Sequence, residues 1–194
     1  LGYDPAVHHP VSVTPEEARR YRAEVSFIGT HTRPRVRLLS TVAKHDLRVW
    51  GDLWKGKRLG SNLTRAVTNR LVSGLEFSKV VGCSQISLNF FRKENRDTHN
   101  LKTFELPACG GFVISERSAE LPDFFEDEKE IVTFQEVGEL KDKVDYYLRH
   151  EDNRKRIAAA AYRRLRRGHH TIQDRVGTIL SRIGWLPRTG SSLT

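Results

Sequence analysis

The sequence predicts an α/β domain in which helices cover both faces of a parallel sheet. Two observations carry that prediction. Short apolar runs alternate along the chain with stretches of helical spacing, and strands separated by helices imply parallel pairing. The 194 residues, 38% hydrophobic and 29% charged, suit one globular domain or one with a small appendage.

Residues 1–23 read as an irregular arm or linker, because Pro5, Pro10 and Pro15 are too closely spaced for a continuous helix. Thr14-Pro15-Glu16-Glu17 still combines an N-cap, a first-turn proline and two dipole-matched acids, so a short helix is expected there. The domain is placed at 24–184. Val25 to Ile28 is a strand that ends in the turn Gly29-Thr30, and Val36, Leu38, Leu39, Val42 and Ala43 follow at helical spacing. Leu47 to Trp50 is a second strand, stopping at Gly51 before a polar loop from Asp52 to Asn62. Helical pattern is expected through about Val72 and again from Leu75 to Val81. Gln85 to Phe90 reads as a buried strand, Arg92 to His99 as a loop, and Asn100 as the cap of a helix running through Cys109 to Gly110-Gly111. Phe112 to Ile114 and Ile131 to Phe134 are the last strands, around the acidic stretch Pro122 to Glu130. Three amphipathic helices finish the domain, marked by Val144, Tyr147 and Leu148, by Ile157, Ala161 and Leu165, and by Ile172, Val176, Ile179 and Ile183. Residues 185–194 are expected to be a flexible tail.

Composition narrows the function classes. Thirty-three Lys and Arg against 24 Asp and Glu give a formal charge of +9, which points to an anionic partner. Cys83 and Cys109 have neither a C-x-x-C partner nor a histidine at zinc-ligand spacing, as suits a reducing compartment. No apolar run has the roughly 20 residues of a membrane span, so a cytoplasmic protein is expected. The chain starts at Leu1 and has no Met, which reads as a fragment or processed product.

In an open parallel sheet, ligands bind outside the carboxyl ends of the strands. The turn Gly29-Thr30 ends a strand there but lacks both the full G-x-G-x-x-G pattern and a P-loop lysine. The helix starting at Asn100 offers more: its first turn presents free N–H groups and the positive dipole end to a phosphate. Lys102 adds a charge for a diphosphate, and Glu105 lies where a carboxylate can accept from vicinal ribose hydroxyls. Asp97, eight residues earlier, could take a sugar hydroxyl. On residue types alone, Asp97 reads equally as a solvated loop acid and Glu105 as a dipole partner. Asp123, Glu126, Asp127 and Glu128 have the spacing of a solvated turn, and no metal site is expected.

The run Lys102-Thr103-Phe104-Glu105-Leu106-Pro107-Ala108-Cys109-Gly110-Gly111-Phe112-Val113-Ile114 resembles the donor-site signature of group 1 (family 4-like) glycosyltransferases, in particular their CgeB-like spore-maturation branch. Val25 to Thr30, Leu47 to Gly51, Ile86 to Asn89, Leu121 to Phe125, Glu130 to Phe134 and His169 to Arg175 follow in that family's order. The resemblance implies a Rossmann-like three-layer αβα domain, the C-terminal half of a GT-B enzyme. It further implies a hexosyltransferase-like activity with retention of configuration, using a nucleotide diphosphate sugar as donor substrate and no cofactor. The acceptor, a saccharide, protein or lipid, would be held by an N-terminal domain. By position, Gly29 and Thr30 match the turn beside the diphosphate. Asn100, Leu101, Lys102 and Thr103 match the helix start that cradles it, and Glu105 matches the ribose ligand. Asp97 stands as the catalytic acid, where the family has glutamate. Glu76, Phe77 and Lys79 match the region of the base. A different reading is a basic nucleic-acid or anionic-surface module built on the Arg-rich helix between Arg149 and Gly168, although its aromatics do not interleave with the basic residues as a stacking platform requires.

Overall fold

A computed structural model describes residues 1–92 and 95–185. The tail expected at 185–194 lies, beyond Trp185, outside the described residues. Helix α1 (Pro15–Tyr21) precedes β1 (Ala23–Ile28), α2 (Arg33–Val42), β2 (Leu47–Trp50), α3 (Ser61–Ala66), α4 (Gly74–Gly82) and β3 (Ser84–Asn89). Then come α5 (Leu101–Ala108), β4 (Val113–Glu116), α6 (Leu121–Phe124), β5 (Val132–Phe134), α7 (Val137–Arg149), α8 (Glu151–Arg167) and α9 (Ile172–Arg182). The strands form one sheet in the order β2-β1-β3-β4-β5, with every pairing parallel. No helix among the described residues is long and apolar enough to cross a membrane.

Strand periodicity explains the layers. Val25 and Phe27 of β1, with Ile86 and Leu88 of β3, turn toward α2, α3 and α7, where Leu39, Val42, Leu63 and Val144 complete one core. On the other face Phe77, Val81, Phe104, Leu106 and Leu165 join α4, α5 and α8. That second face also carries buried Ser26, Ser87, Asn89 and Ser115 on the central strands. Ser26 stands beside Ser87, and Asn89 beside Ser115, so the polar side chains satisfy one another.

The arm expected at 1–23 carries α1, whose Thr14 and Glu17 exchange the two hydrogen bonds of a capping box. It is also tied down at its start: Tyr3 is buried and bridges Thr171, donating to the His170 carbonyl at 3.1 Å. The helix expected to continue to Val72 ends instead at Ala66. Val67 and Thr68, both β-branched, run extended beside β2, where the Thr68 N–H reaches the Val49 carbonyl at 2.9 Å. The single turn α6, inside what read as a plain acidic stretch, is nucleated by Ser118 accepting from the Leu121 N–H. Pro107 lies in the last turn of α5, one residue before the helix stops.

Gly51 sits against Gly29 at the ends of β2 and β1, with φ +139°. A β-carbon at Gly51 would be driven into the Gly29 carbonyl group, and the backbone there is one that side-chain-bearing residues avoid. Gly51→Ala should therefore lower stability by about 2 kcal/mol or more in calorimetric unfolding. Gly138→Ala in α7, where an added β-carbon meets nothing within 4 Å, should leave the melting temperature unchanged or raise it.

Candidate functional site

The order of strands reverses between β1 and β3, so the chain leaves these neighbours for helices on opposite faces and opens a crevice at their carboxyl ends. One wall is the turn after β1. The Gly29 N–H donates to the Trp50 carbonyl at 2.8 Å, and the Gly29 carbonyl accepts from the Trp54 indole at 2.9 Å. Both tryptophans are core, with Trp54 1% exposed. Buried Arg35 reaches back from α2: one guanidinium nitrogen donates to the Thr30 carbonyl at 3.0 Å, the other to the Phe90 carbonyl at 3.1 Å. It thereby bolts the ends of β1 and β3 together while lying over the Phe27 ring. Arg92 spans the crevice from the β3 side and donates to the Thr30 hydroxyl at 2.6 Å.

The opposite wall is the start of α5. The Asn100 side-chain oxygen accepts from the Thr103 N–H at 3.1 Å, and the Thr103 hydroxyl accepts from the Asn100 N–H at the same distance. The Asn100 amide nitrogen donates to the Asn89 side-chain oxygen at 2.9 Å, fixing the helix start to the end of β3. Asn89 in turn donates to the Thr103 and Ser115 hydroxyls. The first-turn N–H groups of Leu101 and Lys102 have no partner inside the helix. Thr103, fully buried, spends its N–H and hydroxyl within the cap, so it shapes this wall through the cap.

Glu105 lies one turn further on, 8% exposed. Lys102 donates to one carboxylate oxygen at 2.5 Å, and His8 Nε2 stands 3.7 Å from the other. The Lys102 ammonium also sits 4.5 Å above the Phe77 ring, and the His8 ring meets Phe77 edge-on. His8 Nδ1 lies 3.3 Å from the Asp4 backbone nitrogen and 3.2 Å from the Asp4 carbonyl oxygen, contacts that set the ring with Nε2 on the Glu105 side. The segment is held because the Val7 carbonyl accepts from buried Ser78. Asp97 is braced inside its own loop, where its carboxylate accepts from the Arg92 N–H at 3.3 Å. No hydrogen bond or ion pair joins it to Glu105 or Lys102 among the described residues.

Other candidates fall into supporting roles. Glu76 takes the Tyr21 hydroxyl and pairs with Arg70, Lys79 pairs with Glu17, and Phe77 is buried beneath Lys102. Asp127 accepts from the Thr133 N–H and hydroxyl, bracing the turn before β5. His169 is exposed, whereas His170 stacks on Phe104 at 5.5 Å. Burial first, then Arg175 and Arg164, hold the His170 imidazole below its ordinary pKa. His8, Arg35 and Arg92 were not among the expected site residues. No sequence pattern links His8 to a helix almost a hundred residues away, but Arg35 and Arg92 flank two glycine- or asparagine-ended strands, a signal that could have found them.

The comparisons with known proteins bear on the family and the fold. A family model described as Glycosyl transferase-like matches residues 33–181. No curated protein matches the chain by sequence. Among solved structures, sucrose-phosphate synthase from Thermosynechococcus elongatus is 14% identical with a TM-score of 0.70, over 94% of this chain and 51% of that one. HepE from Anabaena, in complex with UDP and glucose, is 13% identical with a TM-score of 0.72, over 95% and 56%. The C-terminal domain of a group 1 family glycosyl transferase from Francisella tularensis is 16% identical with a TM-score of 0.65, over 89% of this chain and 100% of that domain. The chain thus spans about half the length of the first two and the whole of the third.

Two outcomes test the construction of the site. Asn100→Ala removes the cap of α5 and its tie to Asn89, and should cost about 1–2 kcal/mol in urea unfolding. The second is a pH dependence. A histidine whose folded pKa is depressed is stabilising as the neutral ring, so unfolding takes up protons and stability falls as pH drops below about 6.5. His170, and His31 with the same direction of shift, should make the protein less stable at pH 5 than at pH 7. In guanidinium titrations His170→Phe should narrow that difference.

Proposed function

The chain belongs to the glycosyl transferase-like family, and we propose that it is the donor-binding half of a GT-B enzyme that transfers a sugar from a nucleotide diphosphate sugar. One observation carries the proposal. The Glu105 carboxylate, 8% exposed, lies one turn inside a helix whose capped start faces the reversal point of the sheet. A carboxylate held there accepts a pair of ribose hydroxyls, and the Leu101 and Lys102 N–H groups with the dipole of α5 meet the diphosphate. Lys102 is the movable element: paired with Glu105 at 2.5 Å, its ammonium can turn to the diphosphate as that charge arrives. Thr30 and Arg92 close the same crevice from the other wall.

In this reading the helix start and the cations offset the charge that develops on the leaving diphosphate, which needs no metal ion. Asp97 is assigned to the transferred sugar by its place before Glu105 in the resemblance, and the outcome to retention of configuration by the family comparison. The run from Lys102 to Ile114 supports placement in the CgeB-like branch, and two free thiols suit a cytoplasmic site of action. An N-terminal domain holding the acceptor completes the enzyme. Its support is twofold: two of the compared structures are about twice as long as this chain, and α9 carries an unpartnered apolar stripe. Ile172, Val176, Ile179 and Ile183 are 46, 47, 58 and 61% exposed at helical spacing. Binding of a nucleic acid by α8 is not favoured. Arg154 is buried, donating to the Leu148 carbonyl at 3.0 Å, and Arg164 donates to the Phe124 carbonyl at 3.2 Å, so both are spent on the fold.

Calorimetry with UDP and UDP-glucose tests the proposal, given that HepE structures contain UDP and UDP-glucose. Glu105→Ala should weaken binding more than tenfold, since charge-assisted bonds to ribose are worth about 1.5–3 kcal/mol. Equal affinities would remove Glu105 from the site, and a wild-type protein indifferent to GDP as well as UDP would overturn the donor assignment.

A further inference from the structure

A cavity of about 460 Å³ opens between the first turns of α2 and the segment after β2. It is lined by His31, Arg33, Val36, Arg37, Lys57 and Arg58, with no carboxylate among them. Arg33, Arg37, Lys57 and Arg58 form no ion pair among the described residues. Lys44, Lys79, Lys143 and Lys155 each meet an acid elsewhere on the surface, whereas these four cations share one cavity that has no acid in its lining.

The local arrangement is unfavourable three times over unless an anion is present. Arg33 occupies the first turn of a ten-residue helix that has no acid there, against the helix dipole. Arg33 and Arg37 are four residues apart, so like charges stack on one face. Lys57 and Arg58 add two more charges across the cavity. The field reaches His31, whose imidazole is pushed below its ordinary pKa by burial first and then by Lys57 and Arg33.

This cavity is separate from the donor crevice. Arg35 faces inward to Thr30 and Phe90, and at roughly 100° per residue Arg33 and Arg37 lie about 160° from it around the helix. We propose that the cavity between α2 and the segment after β2 is a second anion site, which takes a ligand carrying at least two phosphoryl groups. Arginine forks bind phosphoryl oxygens in pairs, and four permanent cations match two or more such groups. An open groove of this volume is large enough for a discrete ligand. Because the site begins one residue beyond Thr30, its ligand lies beside the donor crevice and not in it; that placement rests on the donor reading, whereas the anion site does not.

The experiment titrates inorganic tripolyphosphate into the whole chain by calorimetry, while NMR follows the His31 ring. Arg37→Ser/Lys57→Ser, both at exposed positions, should bind at least tenfold more weakly than wild type. In wild type, saturation should raise the His31 pKa, because the anion offsets the cations beside it. UDP affinity should be the same in both proteins. Equal tripolyphosphate affinities would overturn the site, as would an equal loss from Arg163→Ser/Arg167→Ser, which would mark diffuse charge alone. Binding confined to phosphatidylglycerol vesicles, without tripolyphosphate binding, would also overturn it in favour of a lipid surface. Failure of UDP to bind either protein would sink the donor reading and leave the tripolyphosphate contrast intact.

Discussion

The crevice depends on the side chain of Asn100. Its oxygen ends the helix start at Thr103, while its nitrogen holds the end of β3 through Asn89 and the Phe90 carbonyl. A cap alone would fix where α5 begins, and a strand contact alone would fix where it docks. One amide does both, so the direction of the helix dipole is set by the sheet itself. Arg35 performs the matching task across the reversal point, joining the end of β1 at Thr30 to the end of β3 at Phe90. Without these two ties the carboxyl ends of β1 and β3 would still be neighbours, but no rigid walls would face one another.

Within those walls the charges are organised around Glu105. An unpaired carboxylate at 8% exposure would be costly, and the chain offsets that cost with Lys102 and sets the His8 ring beside it. Phe77 beneath both groups excludes water from one side and gives the Lys102 ammonium an aromatic face. The carboxylate is thus paired and oriented before any ligand arrives. Such preorganisation is what ribose recognition requires, since a ligand need not then pay to order it.

Much of this was legible in the letters. The cap at Asn100, the glycine turn after β1 and the parallel layout follow from local patterns, since a capping side chain and a strand end act within a few residues. Glu105 could be placed one turn into its helix for the same reason. The extended course of Val67 and Thr68 could not be read, because helical spacing of Leu63, Ala66 and Val67 is overruled by pairing with Val49 far behind in the chain. His8 was hidden more completely. Its position is decided by Ser78 reaching the Val7 carbonyl and by the Asp4 turn, contacts that leave no periodicity. Asn89 likewise looked like one more member of a strand, although its buried amide serves three elements at once.

The two ends of the described chain complete the arrangement, and they meet on α5. Residues 1–8 bring His8 to Glu105, and the turn before α9 brings His170 onto Phe104, on the same helix. These ends also grip one another: Tyr3 exchanges backbone hydrogen bonds with His170 and Ile172, and Arg175 donates to the Leu1 carbonyl. The apolar stripe of α9 therefore belongs to the same mechanical unit as the Glu105 carboxylate. A surface that covers that stripe bears on a helix anchored through Tyr3 and His170 to α5, whereas the α2 side of the crevice is held independently by Arg35. The donor wall and the α2 wall are thus fastened to different parts of the molecule, and only the sheet beneath them keeps the two in register.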